Sequence, residues 1–153
     1  MDGFFIVEKE TNMETFLLSD IKLVGNELLD AQHKIILSHL DKIYTYLLAD
    51  NKGRDLFELL DCLDINCKLH FLDEEKVMEA MDFPETEEHK VQHSLFVARL
   101  GLFIHGHVEM NYEMNIDELL ILKGWSLDHF ETLDGKYAEY KKQLIHKRIC
   151  SSW

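Results

Sequence analysis

Six side chains able to bind a metal stand at positions where an amphipathic helix would place leucine: His33, His70, Glu74, His89, His93 and His129. A buried ionisable group needs a partner or a metal. One such residue alone would most simply be a core histidine with a hydrogen bond. Six of them on four helical stripes point instead to one shared metal site, provided they meet at one level. Local spacing suits chelation. His70 and Glu74 are four residues apart, as are His89 and His93, so each pair projects from one helical face. The chain carries nine histidines in all, a high count for its length, and imidazole is a common metal ligand.

The elements that must position these residues read as four helices after an N-terminal arm, residues 1–27. The first is expected over about Leu28–Leu48, with Leu29, His33, Ile36, Leu40, Ile43 and Leu47 facing inward in steps of four and three. That is the a/d spacing of a bundle helix. The second, about Arg54–Met81, carries Leu56, Leu60, Leu63, Cys67, His70, Glu74, Val77 and Met81, and Pro84 ends it. The third, about Glu85–Glu109, carries His89, His93, Phe96, Leu100, Phe103 and His107, with acids at its positive end. The fourth, about Ile116–Lys147, follows Asn115, a suitable N-cap. Short connections make neighbours antiparallel, so the expected fold is all-α, an up-down-up-down four-helix bundle. Phe4, Phe5, Phe16 and Leu17 in the arm are expected to pack across it. The whole chain, 1–153, reads as a single domain.

Antiparallel hairpins bring together residues that are symmetric about a turn. His33 and His70 are symmetric about the turn at Asp50–Gly53, Glu74 and His93 about Pro84, and His93 and His129 about Asn111. Three separate turns therefore place these residues in one slab. Asp134 reaches the same slab, opposite His89. It lies five residues after His129, however, which on a regular helix turns it about 140° away. Tyr137 and Leu144 follow the phase of Asp134 rather than that of His129. One extra residue must be absorbed between them, and a π-type widened turn is expected there. The set then holds five imidazoles and two carboxylates. Seven ligands exceed what one ordinary ion takes. Shared through bridging carboxylates, they suit two octahedral ions with one position open. Ligand type leaves iron, copper, zinc and nickel all possible.

Composition narrows the function class. A formal net charge of −13 argues against nucleic acid or an anionic membrane as partner, since both require a basic face. No apolar run reaches the length of a membrane span. The opening MDGFFIVEKE does not read as a signal peptide. Three cysteines, Cys62, Cys67 and Cys150, form no disulfide framework, which suggests a reducing, cytoplasmic setting. Cys67 reads as core and Cys150 as part of a loose tail.

The segments LLDAQHK, HFLDEE, FPETEEHKVQH and HFETLDGKY resemble the signature of hemerythrins, above all the single-domain bacterial ones, over roughly residues 24–140. The resemblance implies two non-haem iron ions bridged by oxo or hydroxo. His89, His93 and His129 would hold one. His33 and His70 would hold the other, leaving it an open site for dioxygen. Glu74 and Asp134 would bridge the pair. Ile36, Phe71 and Trp125, within one turn of His33, His70 and His129, match positions that line the family's dioxygen pocket. His39, His105, His107 and His146 match no ligand and are expected to be structural or surface residues. The implied function is reversible dioxygen binding for carriage, storage or sensing, without enzymatic turnover. The alternatives are a diiron oxidase, peroxidase or nitric-oxide-handling enzyme on the same bundle, and iron storage. Against the enzyme reading, no Glu-x-x-His pair, the mark of carboxylate-rich diiron enzymes, lies on the inner stripes.

Overall fold

The computed structural model describes residues 22–51, 53–109 and 114–151. The arm residues 1–21, and with them the expected packing of Phe4, Phe5, Phe16 and Leu17, lie outside the described residues, as does the side chain of His107. The described chain is helical, with no strand: α1 Glu27–Leu48, α2 Arg54–Ala80, α3 Thr86–Glu109, α4 Ile116–Asp128, a π-helical turn His129–Leu133, and α5 Asp134–Cys150. No described helix is long and apolar enough to cross a membrane.

The helix ends follow from local chemistry. The side chain of Asn26 accepts from the backbone N–H of Leu28 and Leu29, while Asp30 reaches back to accept from Val24 and Asn26. Orphan donors at the start of α1 are thereby satisfied. Asn115 and Glu118 form a reciprocal capping box at the start of α4. Asp82 turns the chain at the end of α2 with φ of 50°, a left-handed conformation that costs a non-glycine residue about 1–2 kcal/mol. Phe83, buried just after it, anchors the turn through its backbone N–H to Met78 and its carbonyl to the hydroxyl of Thr86. α5 continues through Cys150, so the C-terminal stretch read as a loose tail is helical here, with Cys150 exposed on its last turn. Nothing in that segment breaks a helix.

α1 packs against α2 and α4, and α2 against α3. Contacting pairs run in opposite directions along each neighbour. Gln32 meets Asp73 while His39 meets Asn66. Likewise His33 meets Asp134 while Asp41 meets Lys123. Antiparallel order places a large apolar core, from Ile36 and Leu40 through Leu60, Leu63 and Leu100 to Leu119, on one side of the histidine level. A smaller core of Val24, Leu29, Met78, Phe83, Tyr137 and Ala138 closes the other side. The polar slab lies between two dry layers.

Candidate metal centre

All seven residues meet. His33, His70, Glu74, His89, His93, His129 and Asp134 are each 3% exposed or less. They form two groups that could each hold a metal ion: Glu74 with His89, His93 and His129, and His33 with His70, Glu74 and Asp134. Glu74 is common to both. Asp134 faces both by geometry, with Oδ2 3.0 Å from Nε2 of His33 and Oδ1 3.2 and 3.1 Å from Nε2 of His89 and His129. Glu74 turns Oε2 to Nε2 of His93 at 3.0 Å and of His89 at 3.3 Å, with His70 at 3.8 Å.

The backbone explains how Asp134 arrives. His129–Leu133 form a π-helical turn, and residues on both sides of it keep right-handed helical angles. The rod is therefore continuous but wider by one residue, and His129 and Asp134 share one face. The phase slip in the stripe is the signal for this feature.

Protein groups alone leave the slab unsatisfied. Both oxygens of Glu74 and of Asp134 find no hydrogen-bond partner among the described residues, although imidazoles stand within hydrogen-bond distance. Ring nitrogens point at one another: Nε2 of His129 is 3.0 Å from that of His89 and 3.1 Å from that of His93, and Nε2 of His33 is 3.1 Å from that of His70. Each ring nitrogen has one in-plane direction for a proton or lone pair and cannot serve several partners. A cation at the focus of each group serves all of them at once. Two cis nitrogens about 2.1 Å from an ion are about 3.0 Å apart at an octahedral right angle and about 3.4 Å apart at a tetrahedral one. The observed separations are the octahedral ones. The donor set fits a pair of metal ions.

Electrostatics agree. Burial and the charge of Asp134 push the Glu74 acid upward, but the His89 and His93 rings outweigh them and hold it at about 2. Burial likewise opposes ionisation of Asp134, yet His129, His33 and His89 keep it well below the ordinary carboxylate range. Burial, only partly offset by Glu74, depresses His70 to about 4, and burial also lowers His129. His89 alone is pulled up, to about 9, because Asp134 and Glu74 overcome its burial. Glu74 and Asp134 are thus held as carboxylates, and His70 and His129 are biased toward neutral imidazole, the protonation states that bind metal.

Several side chains that shape the site are not evident in the stripes. The ring of Phe130 stacks on His33 at 3.9 Å and meets His70 edge-on at 5.9 Å. Glu75 Oε1 lies 2.8 Å from Nδ1 of His93. Gln32 Oε1 lies 3.2 Å from Nδ1 of His70, and its amide donates to Asp73 at 2.9 Å. Tyr137, already in phase with Asp134 along the stripe, is fully buried, and its hydroxyl lacks a partner among the described residues. Among the expected pocket residues, Ile36 is buried in the large core, Phe71 stacks on His93 at 4.0 Å, and Trp125 stacks on His129 at 4.5 Å. Phe71 and Trp125 thus pack chiefly against the three-histidine group, and Phe130 covers the two-histidine group. The remaining histidines whose side chains are described stand apart: His39 meets Asn66, His105 pairs with Glu109, and His146 lies beside Cys150.

No family model matches the chain. Known proteins do. The chain is 30% identical over 109 residues to hemerythrin subunit 1 of Golfingia vulgaris, covering 71% of this chain and 78% of that one. It is 30% identical over 119 residues to a hemerythrin-like protein of Naegleria gruberi, covering 74% and 83%. It is 25% identical over 127 residues to the bacteriohemerythrin of Stenotrophomonas maltophilia, covering 81% and 80%. A crystal structure of wild-type hemerythrin superposes with a TM-score of 0.73 over 83% of this chain and 96% of that one, at 21% identity, and so shares its fold. With the histidine-bearing helices, their antiparallel order and these relatives in agreement, the chain belongs to the hemerythrin family.

Proposed function

We propose that this protein binds dioxygen reversibly at a pair of non-haem iron ions. His89, His93 and His129 hold one ion, His33 and His70 hold the other, and Glu74 and Asp134 bridge them. The observation that carries this reading is the inequality of the two groups. Three imidazoles converge on one focus and two on the other, while both carboxylates are shared. Two octahedral ions with these ligands and one oxo or hydroxo bridge between them would leave one position free, on the His33 and His70 side. Bound iron supplies the electrons that dioxygen needs to bind.

The chain's own residues supply the rest. Phe130 covers His33 and His70, and Ile36 and Phe71 belong to the same dry core. A wall of this kind admits an apolar diatomic molecule and limits entry of water and protons, which favours release of dioxygen unchanged. Trp125 backs His129 and fixes the plane of its ring. Nδ1–H groups held by Glu75 and Gln32 turn Nε2 of His93 and His70 toward the centre. Five neutral imidazoles against two carboxylates leave two ferrous ions with net positive charge, suited to a ligand that gains electron density.

The test is an optical spectrum of the anaerobically iron-loaded protein, in air and again under vacuum. A new absorption that disappears under vacuum and returns in air supports a carrier, store or sensor. Irreversible oxidation with turnover of a reductant or peroxide would establish an enzyme instead. Iron uptake well beyond two ions per chain would establish storage.

A further inference from the structure

The two ions would be alike if only their bridges mattered, since Glu74 and Asp134 serve both. Partners behind the imidazoles are not alike. On the three-histidine side, Nδ1–H of His93 donates directly to the Glu75 carboxylate at 2.8 Å, and that carboxylate is three-quarters buried. On the two-histidine side, Nδ1–H of His70 donates to the neutral amide oxygen of Gln32 at 3.2 Å. A carboxylate, Asp73, stands behind that amide at 2.9 Å and reaches His70 only through it. Nδ1 of His33 and of His129 find no partner among the described residues. One side thus carries a full negative charge one hydrogen bond from a ligand ring, and the other carries it two bonds away.

A carboxylate on Nδ1–H draws the proton and gives the ring imidazolate character, which strengthens Nε2 as a donor to the metal. Stronger donation favours the higher oxidation state. We propose that Glu75 polarises the pair, so that the ion held by His89, His93 and His129 gives up its electron first and the ion held by His33 and His70 is the one that stays ferrous. Glu75 is a positioning and tuning residue and does not itself touch an ion. The arrangement keeps the ion with the open position reduced, the state in which it accepts dioxygen. This inference rests on the two-iron reading of the site.

The test begins with the fully reduced, iron-loaded protein and removes one electron with ferricyanide, which becomes ferrocyanide as one ferrous ion becomes ferric. Electron–nuclear double resonance of the half-oxidised protein then counts the imidazole nitrogens on the ferric ion. Three are expected. Two would overturn the proposal outright. In Glu75→Gln the first oxidation potential should shift positive, and a two-imidazole ferric signal should appear beside or in place of the three-imidazole one. Asp73→Asn, a change at the protein surface, should shift the potential by less and leave the three-imidazole signal alone. A merely structural role for Glu75 would lower iron content without moving the nitrogen count. Unchanged potential and count in a fully loaded Glu75→Gln protein would also overturn the proposal. Wild-type protein that binds fewer than two irons per chain refutes the two-iron reading itself, and iron analysis identifies that failure separately.

Discussion

Glu74 and Asp134 are the residues whose removal should cost most, because each turns its carboxylate toward both histidine groups. Glu74→Ala should leave the chain unable to hold the pair, so that iron analysis after gel filtration falls from two ions per chain toward none. Intact loading in that variant would contradict the bridging role. His70→Ala removes one of only two imidazoles from its group and should lose that ion first, leaving about half the iron. Most of these seven residues could be read from sequence because they interrupt apolar stripes, where a polar side chain is costly unless paired. Phe130 could not. It follows His129 directly, so it stands about 100° off the stripe that carries that histidine, where an apolar residue is ordinary core until the structure shows which rings it meets. Glu75 and Gln32 were equally hidden. They sit on flanks of the inner stripes, where a polar residue is ordinary helix surface until the structure shows which ring it meets.

At the scale of elements, the π-helical turn His129–Leu133 is the feature that keeps Asp134 in register with His129. Deleting Thr132 should close the turn into regular α-helix with His129 and Asp134 four residues apart, a spacing that keeps both on one face. Circular dichroism should show helix content nearly unchanged, and iron loading should be preserved. Loss of loading in the deletion would show that the wider turn does more than keep Asp134 in register with His129. The caps are separate from the chemistry. Asn115→Ala breaks the capping box of α4 and should lower stability to chemical denaturation by about 1 kcal/mol, with iron content preserved. Helix starts were readable because caps and acidic first turns are local signals. The end of α5 was not, since neither proline nor glycine stands near Cys150 to stop it.

The whole molecule places a charged slab between two apolar cores, and its stability must depend on pH when metal is withheld. His70, lowered from 6.5 to about 4, takes up a proton in the unfolded chain before the folded one does. Stability therefore falls as pH drops from about 6.5 to about 4, on the order of 3 kcal/mol from this residue. His129 acts in the same direction. His89, raised to about 9, acts oppositely: its contribution is complete below 6.5 and is lost as pH rises toward 9. Denaturant titrations of the metal-free protein should give maximal stability near pH 6.5, and a steady rise to pH 9 would contradict these assignments. Iron at a thousandfold excess over its dissociation constant should add about 4 kcal/mol, because it binds only the folded site. The central claim is that five histidines and two carboxylates from four helices hold two ions in one slab. Anomalous diffraction at the iron edge, from crystals of the reduced, iron-loaded protein, tests it most directly. Two peaks are predicted, one within bonding distance of His89, His93 and His129 and the other of His33 and His70, with Glu74 and Asp134 reaching both; a single peak, or iron bound elsewhere, would contradict it.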